Sequence, residues 1–168
     1  MKLSKLERLN LINQFLILEK LYPEEASYYE KHRIALAEGY ELHYSWILEN
    51  VWDGLSEEEC REVLDVLEMY RAITFSYQKL EDKTSVKSHW VEFRGFDGNN
   101  ESPQLAYCKY FIIDLERYDE LKGGKEYPDF NSHMPTLQKY SAMRAKWEEM
   151  RKSFELSATQ LNEILGAS

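Results

Sequence analysis

Between Ser56 and Leu80 the chain carries apolar residues on nearly every side of one helical period. Cys60, Val63, Leu64, Leu67, Tyr70, Ile73, Thr74, Tyr77 and Leu80 trace a stripe at three-to-four spacing, and Val66, Met69 and Phe75 add apolar surface on other flanks. A helix of this kind has little surface to give to water, so the rest of the chain must wrap it. The pattern predicts a helix from about Glu57 to Leu80, on the order of 36 Å long at 1.5 Å per residue. The fold class that follows is all-α: a single multihelical domain, spanning residues 1–168, of about seven helices around this long central one.

The other helices announce themselves by their starts. Ser4 is followed by Glu7, Ser56 by Glu59 and Ser157 by Gln160. Each pair is a capping box, in which two side chains satisfy N–H groups that the first helical turn leaves free. Pro23, Pro103 and Pro135 mark further starts, because proline has no N–H to lose there. The first helix is predicted over Lys5–Leu21. Leu6, Leu9, Ile12 or Asn13, and Leu16 keep the helical spacing, with Leu11, Phe15 and Leu18 widening the apolar face. The second runs from Pro23 to a left-handed stop at Gly39, and a shorter piece spans residues 41–51 before Asp53-Gly54 breaks it. A fifth is expected from Ser102 to about Lys122, ended by Gly123-Gly124. A sixth covers about Pro135–Phe154, and a last one Ala158–Leu165.

Residues 82–100 stand apart. Trp90-Val91-Glu92-Phe93 alternates like a short strand, and Gly95-Phe96-Asp97-Gly98-Asn99-Asn100 reads as turn. Long irregular connections inside compact domains are often functional. The candidate site is therefore placed where Trp90–Asn100 meets the central helix near Tyr70, with Trp90, Phe96, Asp97, Tyr70, Arg117 and Asn131 as candidate binding residues. A buried Tyr70 hydroxyl needs a partner, and Asp97, Arg117 or Asn131 could supply one. The competing reading makes the phenylalanines core plugs and Asp97 the cap of the next turn.

Several chemistries find no support in the residues. The four histidines (His32, His43, His89 and His133) form no i+3 or i+4 pair, and there is no Cys-x-x-Cys, so no metal or other cofactor is expected. Gly123-Gly124-Lys125 follows a helix rather than opening one, unlike a phosphate loop. No Gly-x-Ser-x-Gly occurs, and Cys60 and Cys108 sit among apolar neighbours as buried thiols. The carboxylates Asp114, Glu116, Asp119 and Glu120 read as a solvated face, which leaves catalysis without a carrier. A net charge of −9 argues against nucleic-acid partners and anionic membrane surfaces. The last helix has no Arg or Lys for groove reading, although residues 139–152 hold a local balance of +3. Met1-Lys2-Leu3 runs directly into an amphipathic pattern, and no apolar run has membrane-spanning length, so a cytoplasmic location is expected. Twelve tyrosines, and Tyr28, Tyr29, Tyr44, Trp46 and Trp52 in the N-terminal third, point to a subunit interface. A homo-oligomer, most simply a dimer, is expected.

Cys60-Arg61, Asp65, Glu68-Met69-Tyr70, Phe93-x-Gly95-Phe96-Asp97, Phe130-Asn131, Pro135, Lys139-Tyr140, Met143, Trp147 and Leu156-Ser157 together resemble the YfbU family of bacterial proteins. The resemblance covers nearly the whole chain. It implies a helical cytoplasmic domain and brings no catalytic residues to carry over. Family relatives occur beside DNA-binding segments, which implies a regulatory role in binding a ligand or a protein. A non-catalytic module binding a protein or small molecule is thus the leading expectation. An enzyme with an unrecognised helical site and a structural assembly factor are the alternatives.

Overall fold

A computed structural model describes residues 2–51 and 54–167. Among them the chain is all-α, with seven α-helices, short 3-10 turns and no strand. Its residues gather into two compact units, Met1–Asp53 and Gly54–Ser168. No described helix is long and apolar enough to cross a membrane.

The N-terminal unit is a helical hairpin. α1 (Lys5–Leu21) starts on the expected Ser4–Glu7 capping box. A 3-10 turn at Pro23–Glu25 reverses the chain into α2 (Ala26–Glu38), which Gly39 stops in the left-handed conformation at φ 76°. Phe15 stacks on His32, Arg33 pairs with Glu19 at 2.6 Å, and Arg8 donates to the Leu36 carbonyl at 3.1 Å. These contacts fix the two helices antiparallel. A 3-10 turn and the four-residue α3 (Tyr44–Ile47) follow. The core of this unit is small: among the described residues only Ala35, Leu36 and Tyr44 are buried apolar side chains.

The apolar face of α1 is not one wide face. Leu11, Ile12, Phe15 and Leu18 are half-buried, whereas Leu6, Leu9, Leu16, Ile17 and Leu21 are exposed. At 100° per residue these sets sit on nearly opposite sides of the helix.

The C-terminal unit is built around α4 (Glu57–Lys79), which opens on the Ser56–Glu59 capping box and buries Val63, Val66, Leu67, Met69, Tyr70, Ala72, Ile73 and Ser76. Around it lie α5 (Ser102–Lys109), α6 (Leu137–Glu149) and α7 (Ala158–Gly166), the last with its Ser157–Gln160 capping box. The Ser76 hydroxyl donates to the Phe154 carbonyl at 3.1 Å and accepts from the Leu156 N–H at 3.0 Å, tying the C-terminal segment to the central helix.

Two expectations need correction here. The fifth helix does not continue to Lys122. It widens into a π-helical turn at Tyr110–Asp114 and breaks, with Glu116 and Tyr118 in left-handed backbone, before a 3-10 turn at Asp119–Lys122. The Arg71–Glu120 ion pair, with the Arg71 guanidinium 4.0 Å from the Tyr118 ring centre, holds that break against α4. Apolar periodicity carries across the break because both sides face the same core. Residues 89–92 form a turn and bends rather than a strand. Trp90, Val91 and Phe93 are all half-buried against the core and Glu92 is exposed, so the apolar residues serve packing without a partner strand.

Candidate functional site

The irregular segment closes on a second loop, residues 123–136, through a small set of polar ties. Phe96 and Asn131 form an isolated parallel bridge, with Phe96 N–H donating to the Phe130 carbonyl at 3.0 Å and Ser132 N–H to the Phe96 carbonyl at 3.1 Å. Gly95, at φ 82°, makes this approach possible: a Cβ there would lie 1.7 Å from the Phe130 carbonyl oxygen. The Asn131 side-chain oxygen accepts from the N–H groups of Gly98 and His133, both at 3.0 Å.

Glu101 is the centre of the arrangement, and sequence reasoning missed it. Its side chain is buried. One carboxylate oxygen accepts from the N–H groups of Thr136 at 2.7 Å and Leu137 at 2.8 Å. The other accepts from Asp97 N–H and the Thr136 hydroxyl, both at 2.9 Å. The Thr136 hydroxyl also lies 3.1 Å from the Gly95 carbonyl, but Tyr140 O–H already donates to that carbonyl at 2.9 Å. The Thr136 hydroxyl has a single proton, and the Glu101 carboxylate is the stronger acceptor for it. Glu101 thus caps the start of α6 from across the chain, where the dipole favours a negative charge. One sequence signal was available: α6 starts without a capping box of its own, unlike α1, α4 and α7.

The six candidate residues separate into three groups. Phe96 and Tyr70 are fully buried, and Phe93 and Tyr140 both lie against the rings of Tyr70 and Phe96. The Tyr70 hydroxyl meets none of the three expected partners. It faces the Met143 sulfur at 4.0 Å, and burial holds its pKa well above the ordinary tyrosine range. Asp97 is also buried, with its carboxylate turned into its own loop, where it accepts from Asn99 N–H at 3.3 Å and from the Asn100 amide. The Asn100 contact lowers its pKa. Arg117 is exposed, beyond the π-helical turn, and takes no part in this network. Of the remaining two, Asn131 borders open space and Trp90 is half-buried against the core beside Tyr140. Asn131 lines the cleft described next, and Trp90 supports the Arg94 guanidinium, 5.2 Å from its ring centre.

That cleft, of about 850 Å³, lies beside the C-terminal half of α4. Thr74, Tyr77 and Gln78 of α4 form one wall, Lys83 with residues 88–89 and 91–94 a second, and residues 120–123, Lys125 and residues 128–132 a third. Val91, Phe93, Leu121 and Phe130 give it an apolar interior. Its bases are Lys83, Arg94, Lys122 and Lys125, and its acids Glu92, Glu120 and Asp129. Glu120 is taken by Arg71, and Lys122 by Asp119 at 2.8 Å. Lys83, Arg94 and Lys125 have no ion-pair partner among the described residues. Phe130, in the wall, is held at φ 50°, a backbone conformation that costs on the order of 1 kcal/mol and persists only where its surroundings enforce it.

The YfbU domain model matches residues 1–167. The chain belongs to the YfbU family. Among its relatives is the UPF0304 protein MJECS11 of Methanocaldococcus jannaschii, 38% identical over 169 residues, covering 98% of this chain and 99% of the relative. The all-helical fold implied by the YfbU resemblance is the fold observed.

Proposed function

We propose that this YfbU protein is a non-catalytic binding module whose cleft takes a small anionic molecule with an apolar body. The observation that carries this reading is a local reversal of charge. The whole chain has 21 bases against 30 acids, whereas the cleft leaves three bases unpaired against two acids, Glu92 and Asp129. Low-dielectric walls strengthen such a field, and a carboxylate or phosphate is its natural complement. Phe93, Phe130 and Val91 would receive the apolar body, with the Asn131 side-chain NH2 and the Ser88 hydroxyl proton to orient the anion. Binding is favoured over turnover because the inward-turned acids beside the cleft, Asp97 and Glu101, are engaged in their own hydrogen bonds. The same reading places the protein in the cytoplasm as a regulatory component, in keeping with its two free thiols.

The test is a ¹⁵N-resolved NMR titration of the full chain with phenyl phosphate, and with benzyl alcohol as the neutral analogue. Saturable shifts at the amides of residues 91–94 and 130–132 are expected from phenyl phosphate. Arg94→Gln should weaken that binding about fivefold, equivalent to ~1 kcal/mol. Equal responses to the two compounds, or shifts confined to other residues, would sink the reading.

A further inference from the structure

The N-terminal unit holds a cleft of its own, of about 460 Å³, which shares no residue with the first. Gly39 stops α2 in the left-handed conformation and turns the chain, and residues of both the helix and the segment after it line the space. Tyr28, His32 and Ala35, spaced four and three apart, fall on one face of α2. Tyr40, His43 and Trp46 come from the 3-10 turn and α3 that follow.

The rings in this cleft stand on edge to one another. Tyr28 meets His32 at 4.6 Å between ring centres and 81° between planes. His43 meets Trp46 at 4.4 Å and 63°, and Tyr40 meets His43 at 6.5 Å and 76°. A stacked pair hides ring faces, whereas two rings near a right angle make a corner with a π face on each side. Those faces are not consumed by packing, since Tyr28, Tyr40 and Trp46 are 46%, 51% and 54% exposed.

We propose that this cleft binds a quaternary ammonium ion, with Tyr28, Tyr40 and Trp46 as its aromatic cage and Glu49 as the counter-charge. Three observations select that ligand. The first is the ring set itself. Aromatic faces carry negative potential and attract a cation, most strongly one whose charge is spread over methyl groups. A primary ammonium is strongly hydrated and would need hydrogen-bond acceptors that rings do not supply. The second is charge. Residues 1–53 hold six bases against nine acids, the reverse of the base-rich first cleft. Glu49 lines the aromatic cleft and has no ion-pair partner among the described residues. Lys31, the one base of the lining, is exposed and opposes it. The third is His43. Its Nδ1 is the one buried side-chain nitrogen or oxygen among the described residues without a hydrogen-bond partner. Such an orphan costs stability, so the fold alone gives no reason for an imidazole at this place in the wall.

The cleft also bears on the aromatic residues from which a subunit interface was expected. Tyr44 is buried within its own unit, Tyr29 is half-buried, and Trp52 lies outside the described residues. Tyr28 and Trp46 are exposed, and both belong to the proposed cage.

The test is an NMR titration of the full chain with choline chloride, and with neohexyl alcohol, the uncharged isostere in which carbon replaces the nitrogen. Sodium chloride at matched concentration controls for ionic strength. Choline should give saturable shifts at the Trp46 indole N–H and at amides of residues 28–35 and 40–46, with an affinity about tenfold above that of the alcohol. Trp46→Leu keeps an apolar wall but removes the ring, and should abolish the preference for the cation. Glu49→Gln should weaken choline binding about threefold, and Lys31→Gln should strengthen it by a similar factor. Both residues are exposed, so helical circular dichroism should not change. The opposite signs distinguish a charge-selective site from an apolar patch. No saturation by about 50 mM choline, equal affinity for the alcohol, shifts confined to other residues, or a Lys31→Gln variant that binds choline no more tightly would each overturn the proposal.

Discussion

The two compact units share their starting device and differ in what they do with it. α1 and α4 both open on a Ser–x–x–Glu capping box with the same pair of hydrogen bonds. α4 then buries eight side chains, and α1 buries none. Among the described residues the C-terminal unit holds twenty buried apolar side chains against three in the N-terminal unit. Thirteen of the seventeen exposed large apolar residues lie in the N-terminal unit. The difference teaches that capping and periodicity set where a helix is, while burial depends on how many neighbours reach it. One unit is stabilised from within, and the other presents apolar surface outward.

The comparison can be tested first at the polar clamp of the C-terminal unit. Glu101→Ala strips the acceptor from two N–H groups at the start of α6, from Asp97 N–H and from the Thr136 hydroxyl. It should destabilise the protein by about 3 kcal/mol, seen as a melting temperature lower by roughly 10 °C for a chain of this size. A loss within 2 °C would mean that water replaces the carboxylate and that the clamp is ornamental.

A smaller effect should appear in hydrogen exchange. With three buried side chains, the N-terminal hairpin should open locally far more often than α4 does. Amides of α2 should exchange at least about tenfold faster than those of α4. Equal protection in both helices would erase the distinction drawn here.

The smallest effect concerns pH. The Asn100 amide lowers the folded-state pKa of Asp97 below its ordinary 3.8. A lowered folded pKa contributes stability that is present above the unfolded value and lost as pH falls through the folded one. Asp97→Asn should therefore melt earlier than the parent at neutral pH, and the two should converge below about pH 4. A constant difference down to pH 2 would assign the loss to packing instead.

The fold was legible in the sequence wherever its cause was local. The three capping boxes, the Gly39 stop and the central helix all rest on residues within a few positions of one another. The misreadings arose where the cause was distant. The break after Asp114 is held by Arg71, more than forty positions earlier, and periodicity alone cannot show it. α1 looked like one wide apolar face because spacing counts apolar residues without saying which neighbour covers them. At the candidate site the sequence placed the loop but not its centre. Asp97 attracted attention as an acid among glycines, whereas Glu101 sits at a helix start where an acid looks ordinary. Its partners Thr136 and Leu137 are 35 and 36 positions away. The tyrosine hydroxyl was assigned a polar partner by a general rule, and a methionine sulfur stands there instead.

The Glu101 clamp also has a consequence in time. Before α6 arrives, the carboxylate is solvated and costs nothing. Once the loop over it has closed, a buried charge without Thr136 and Leu137 would be among the least favourable states open to the chain. Half-closed forms are thus disfavoured on both sides. The chain must also close a loop of about 35 residues before any of the carboxylate's long-range contacts can form, and contacts of such separation are slow to make. Closing that loop and burying the carboxylate with its partners should therefore be coupled in one cooperative step.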